Sequence, residues 1–193
     1  MRFLTSPCEF LSPSDTPSPC DLIFVLAGRD ERKPYGLELF RQHLASRLIL
    51  SVGRFEVRQT AQSLHHPELL RLRDETPPGQ RHFWMDFKSD GVQISRANLR
   101  QTNTFWELHG LGEYVGTEVR SIAIVSTSIH LRRIRFCCSR IPFFEELRVI
   151  FVPVPEETSS FQKKGWWKRP DHWFYVTSEY MKLAAYHLLH RNS

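Results

Sequence analysis

Residues 121–138 read SIAIVSTSIHLRRIRFCC. The first six, mostly apolar and β-branched, carry the signature of a buried strand. That run stops at Ser126, Thr127 and Ser128, and His130 and arginines 132, 133 and 135 follow at once. The second half places His130, Ile134, Cys137 and Ile141 at spacings of four, three and four, which predicts a helix with one buried stripe. His130 heads that stripe. Arg133 sits beside it by about 60° on the helical wheel, since each residue turns roughly 100°, whereas Arg132 and Arg135 turn toward solvent. The unit is therefore strand, hydroxyl-rich turn, helix, with His130 and Arg133 brought to the carboxyl end of the strand.

The same alternation runs outward in both directions. DLIFVLAG (21–28) is an apolar run closed by glycine, expected to be a strand buried on both faces, and RLILSVG (47–53) is a second. Between them PYGLELFRQHLAS predicts a helix, with Pro34 near its start and Leu37, Phe40 and Leu44 on one face. Helical pieces are expected around VRQTAQSL and PELLRLR, before a break at TPPGQ. HFWMDF and VQIS around KSDG predict a hairpin, or one strand and an extended return, inside an insert of about 55–95. A helix is expected to start near Thr102–Thr104, where Thr104, Leu108, Leu111 and Val115 repeat the four, three, four spacing, and LRVIFVPVP predicts the last strand. The chain closes with the aromatic loop GWWKRPDHW and a helix over TSEYMKLAAYHLL capped by Thr177 or Ser178, together about 160–190. Residues 1–20, with four prolines and several serines, read as a flexible arm before a single domain over 21–193. These patterns predict an α/β, three-layer Rossmann-like fold, its mainly parallel sheet covered by helices on both faces.

In such folds ligands sit beyond the carboxyl ends of the strands. Four segments reach that edge: Gly28, Arg29 and Arg32; Ser51, Gly53 and Arg54; Thr102, Asn103 and Thr104; and Ser126, Thr127, His130 and Arg133. Helix N-termini and arginines gathered there favour phosphate or carboxylate. The set contains many donors and almost no carboxylates, which is unlike an edge that mixes both signs. Each residue also has a structural reading: Thr102, Asn103 and Ser128 as N-caps, and Arg29 and Arg32 paired with Asp30, Glu31 or Glu38.

Composition narrows the classes. The 193 residues carry a net charge of +5, which suits an anionic partner, although a diffuse excess is the simpler reading. No apolar run approaches the roughly 18 residues of a membrane span. The N-terminus lacks the apolar core of a secretion signal, so a cytoplasmic location is expected. Cys8, Cys20, Cys137 and Cys138 show neither C-x-x-C nor metal-like spacing with histidine, so no metal site is expected and the thiols read as reduced. No long basic stripe appears, which speaks against nucleic acid as the main partner.

Taken in order, VLAG with Arg32, SVG, TNTFWE with Glu107, and VSTSIHLRR with His130 and Arg133 resemble the YdcF/ElyC/SanA-like family of α/β proteins. The resemblance covers about residues 21–155. It departs from the family pattern at Val52, where a glycine is usual, and in the long segment 55–95. The resemblance implies an α/β domain with a pocket at the strand ends and a role connected with the cell envelope, with lipid carriers or with an adenosyl-type ligand.

Three functions follow as expectations. One is a pocket for an anionic, phosphate-containing metabolite, with His130 as the first candidate acid or base and Glu107 as the second. Another is a nucleotide or S-adenosylmethionine binder. That reading is disfavoured because AGRDERKPYG lacks G-x-G-x-x-G and a sulfonium sits poorly among arginines. The third is a peripheral membrane or partner-binding module, in which KKGWWKRPDHWFYV rests on anionic lipid; against it, Trp166, Trp167 and Trp173 can simply pack on the core.

Overall fold

The structure, a computed structural model, describes residues 6–189. In chain order the elements are α1 (Ser6–Leu11), β1 (Leu22–Val25), α2 (Arg32–Arg41), β2 (Arg47–Gly53), α3 (Val57–Ser63), α4 (Glu68–Glu75), β3 (His82–Lys88), β4 (Gly91–Arg96), α5 (Thr104–Val115), β5 (Ser121–Ser126), α6 (Leu131–Cys138), β6 (Arg148–Pro153) and α7 (Pro170–Leu189). Six strands form one sheet in the order β4-β3-β2-β1-β5-β6. Strands β2, β1, β5 and β6 pair in parallel, and the β3/β4 hairpin adds antiparallel to β2. The fold is thus α/β with a mainly parallel sheet, as the alternation of apolar runs and helical stripes predicts.

Strand periodicity divides the core into two layers. Leu22, Phe24 and Leu26 face Leu108, Leu111, Ile134 and Cys137 from α5 and α6. Ile23 and Val25 face the other side, where Leu39, Val57, Ala61 and Leu69 come from α2, α3 and α4. Helix α2 approaches β1 through Gly36, where an added Cβ would lie 2.2 Å from Val25 Cγ2. The sheet-facing side of α2 consequently centres on Gly36 and Leu39. Leu37, Phe40 and Leu44, expected to form its buried stripe, pack from the flank.

Two further expectations are corrected. The flexible arm over residues 1–20 is, from Ser6, a short helix whose Cys8 and Leu11 are buried against Ile129, Phe161 and Val176. Further along, the Asp15 N–H donates to the Phe151 carbonyl, and the Phe151 N–H donates back to the Asp15 carboxylate, each at 2.9 Å. Proline and serine composition conceals this because the partners lie on distant elements. Residues 1–5 of that arm, and 190–193 at the far end, lie outside the described residues. Helix α7 begins at Pro170, well before the expected cap at Thr177 or Ser178. Proline is tolerated in a first helical turn, where its missing N–H costs nothing. Thr177 and Ser178 lie mid-helix and turn their hydroxyls back onto preceding carbonyls.

The chain passes from β1 to β2 and the hairpin on one side, then crosses to β5 and β6 on the other. Strand order reverses at the β1/β5 boundary, and the diverging loops leave a crevice there. Because β3 runs antiparallel to β2, its first residue, His82, pairs with Gly53 and stands at that same edge. Among the described residues no helix is long and apolar enough to cross a membrane.

Candidate functional site

A cavity of about 510 Å³ opens over the carboxyl ends of β1, β2 and β5. Gly28, Arg29 and Arg32 line it from the loop after β1, and Gly53 and Arg54 from the end of β2. The entry to α5 contributes Thr102, Asn103, Thr104 and Glu107, and the turn into α6 contributes His130 and Arg133. Ser51, Ser126 and Thr127 do not line it; they are fully buried behind its wall. The Ser51 hydroxyl lies 2.6 Å from His82 Nε2, Ser126 lies 2.9 Å from His130 Nδ1, and Thr127 accepts from Arg32 Nη2 at 2.9 Å. These three hydroxyls orient the lining side chains.

Local sequence explains several placements. Gly28 has φ +121°, a backbone conformation that L side chains rarely adopt, and a Cβ there would meet Arg32 Nη1 at 3.1 Å. Its absence lets Arg32 fold back across the loop, where Nη1 donates to the Ala27 carbonyl at 2.6 Å. Asn103 caps α5 by accepting from the Trp106 N–H at 3.1 Å, so its structural reading holds. Val52 is buried and points into the core, away from the cavity.

The charge of the site departs from expectation. Three carboxylates line it: Glu56, Glu107 and Glu179. Glu56 accepts from the Gly53 N–H at 2.8 Å and pairs with buried Lys33. Glu179 on α7 binds Arg133 through two bonds of 3.0 and 3.2 Å, and Lys182 at 2.9 Å. Burial alone would raise the Glu179 pKa, but these two cations hold it below the usual carboxylate range. Arg133 also donates to the Thr104 hydroxyl, so this arginine arrives already committed.

Arg32 differs. Its side chain is buried, with 3 % of the residue exposed, and it makes no ion pair with any carboxylate among the described residues. Its Nε has no hydrogen-bond partner. Arg29 is exposed, donates to the Ser160 hydroxyl at 2.7 Å and lies over the Tyr175 ring at 4.4 Å; Glu31 is taken up by Ser160. The pairing of Arg29 and Arg32 with Asp30, Glu31 or Glu38 is therefore not formed. Arg54 is exposed over Phe55, itself 85 % exposed at the rim.

The two candidate acid–base groups are pushed in opposite directions. Glu107 is buried, which raises its carboxyl pKa against the opposing pull of the Ser51 hydroxyl, the Ala27 N–H, Arg32 and Lys33. Its Oε1 accepts from the Ala27 N–H at 2.8 Å. His130 falls well below its ordinary value through burial and through repulsion by Arg133, Arg32 and Lys182, so it is a neutral imidazole near pH 7. Its Nε2 lies 3.4 Å from the Thr104 hydroxyl. With Arg133 donating to that oxygen, the Thr104 proton is free to turn toward Nε2, leaving Nδ1–H for Ser126.

Sequence reasoning missed His82, Phe55, Glu56, Tyr175, Glu179 and Lys182, all of which line the cavity. Glu56 stands three residues beyond Gly53, and following the second loop further would have found it. His82 begins an antiparallel strand, which a rule about carboxyl ends overlooks. The α7 residues carry no local signal.

Among the described residues no group of three or more His, Cys, Asp or Glu side chains is placed to hold a metal ion. Cys137 is buried in the core and its thiol is pushed up to about 12, which suppresses reactivity. On the tail, Trp166 is buried and Trp167 packs partly against the same cluster, but Trp173 is 52 % exposed, so only part of the aromatic loop covers the core. Compared with family models, curated proteins and solved structures, the chain gives no match.

Proposed function

We propose that this chain is a YdcF/ElyC/SanA-like protein that binds a small anionic, phosphate-containing metabolite in the strand-end cavity and hydrolyses or transfers its phosphoryl bond. The observation that carries the reading is Arg32, a buried guanidinium lining the cavity that forms no ion pair with a carboxylate among the described residues. A buried charge is costly unless it is compensated, and a bound phosphate would compensate it through charge-assisted bonds. Five cationic side chains line the cavity against three carboxylates, which leaves an excess of positive charge.

The chemistry follows from the split between Glu107 and His130, since environments that push two titratable groups apart assign acid and base. Neutral His130 takes a proton from an attacking water, whose oxygen bonds to phosphorus. The bond from phosphorus to the leaving oxygen breaks, and Glu107, in the protonated form that its burial favours, supplies that oxygen with its proton. Arg32 stabilises the charge that spreads over the phosphoryl oxygens. The same cation excess disfavours S-adenosylmethionine, and Glu56, the acid beyond β2, is occupied by Lys33 and the Gly53 N–H rather than free for a ribose hydroxyl.

Isothermal titration with inorganic phosphate and pyrophosphate tests the reading. Arg32→Gln should weaken binding by at least about tenfold, the order expected for a charge-assisted pair. Arg132→Ala, outside the cavity, should leave it unchanged. Equal affinities in the two variants, with both folded, would overturn the assignment.

A second reading rests on the outer face of α7. Phe174 and Met181 are 70 % and 74 % exposed there, next to Trp173, and Lys163, Lys164, Lys168 and Arg169 precede the helix. Apolar anchors flanked by lysines suit an anionic lipid surface. Co-sedimentation with vesicles containing phosphatidylserine should exceed that with phosphatidylcholine alone and fall in Phe174→Ser/Met181→Ser. Equal sedimentation with both vesicles would exclude this reading.

A further inference from the structure

A second cavity, of about 360 Å³, adjoins the first and shares His82 and Thr102 with it. It is built at the open end of the β3/β4 hairpin by the segments that enter and leave it. Beyond β4 the Ala97 N–H donates to the His82 carbonyl at 2.8 Å, which turns the chain across the sheet edge toward α5. Arg96, Arg100, Gln80 and Asn98 line the resulting hollow, and none of its lining residues is a carboxylate. Arg96 meets only the Gln80 side-chain oxygen, at 3.3 Å, and Arg100 lies 4.9 Å over the Trp106 ring. Neither forms an ion pair among the described residues. Arg47, Arg73 and Arg169, in contrast, each hold an aspartate.

We propose that the hairpin cavity is a second anion subsite, so that the ligand is an extended molecule with two separated anionic groups, one at Arg32 and one at Arg96 and Arg100. This inference rests on the phosphate reading of the first cavity. The charge distribution directs the second group outward. Around Arg32 the remaining wall mixes Arg29, Arg54, Arg133 and Lys182 with Glu56, Glu107 and Glu179, whereas the hairpin side offers only cations and neutral donors. His82 is kept uncharged by burial, which pushes its pKa down to about 4, and with Thr102 it lines both cavities. A ligand that engages both subsites gains from effective concentration, because the second contact is made within one molecule.

The test is calorimetric titration with alkanediol bisphosphates of increasing chain length, each compared with its monophosphate. At least one length should bind about tenfold or more tightly than its monophosphate, as expected when a linker spans two sites. Arg96→Ala/Arg100→Ala should abolish that advantage and leave monophosphate affinity within about twofold, while Arg32→Gln should weaken both ligand types. Both hairpin arginines are exposed, so the double variant should fold, which circular dichroism checks. If every bisphosphate matches its monophosphate, or the advantage survives in the double variant, the second subsite is overturned while the first stands. If no phosphate compound binds, both fall.

Discussion

At the scale of single residues, the site is governed by which charges are compensated and which are not. Arg133 and Arg32 both point into the cavity, but Arg133 is matched by Glu179 and Arg32 is not. The sequence placed Arg133 in the crevice because it lies beside His130 on a helical wheel. That argument gives direction and says nothing of partners. His82 supplies a test of burial. Its imidazole is held down to about 4 by desolvation, with Glu56 opposing and Lys33 assisting. The unfolded chain takes up that proton near 6.5, so between about pH 6.5 and 4 the unfolded state binds more protons and acid destabilises the native state. From this residue the loss should be on the order of 3 kcal/mol, complete below about pH 4 and absent above about 6.5. Urea denaturation at pH 7 and pH 4.5 should show a smaller drop for His82→Gln than for the native chain. His130 contributes in the same direction and remains in both proteins. Identical drops would remove His82 from the account.

At the scale of elements, α7 is the part that sequence placed but could not connect. Its stripe of His172, Val176, Glu179 and Leu183 is buried, and Glu179 reaches across to α6. The Arg133–Glu179 pair thereby ties the terminal helix to the cavity wall. Breaking a buried pair from one side leaves a charge without compensation, which costs about 3–5 kcal/mol. Glu179→Gln should therefore lose roughly 3 kcal/mol, near the lower end because the amide keeps one acceptor. Added phosphate should restore more stability to this variant than to the native chain, since it freshly compensates Arg133. A loss below about 1 kcal/mol in urea, or equal phosphate responses, would contradict the tie. Helices α5 and α6 were legible for the opposite reason: each has an apolar stripe that its own periodicity reveals.

At the scale of the whole molecule, the crevice exists because strand order reverses between β1 and β5, and the antiparallel hairpin widens the site beyond the parallel core. The sequence by itself determined the alternation of strands and helices, hence the mainly parallel sheet with helices on both faces. It also determined that Gly28, Arg32, Gly53, Thr104, Glu107, His130 and Arg133 would meet at one edge. These features are local: a period of two or 3.6 residues fixes a face, and the end of an apolar run fixes where polar groups emerge. Only the tertiary structure decided the charge of the site, the burial of Cys8 and Leu11, and the roles of His82, Lys182 and Glu179. Glu179 lies 46 residues from Arg133 in the chain, and His82 lies 31 from Ser51. Whether an ionisable group is compensated depends on which distant side chain packs against it, and no periodicity within a segment carries that information.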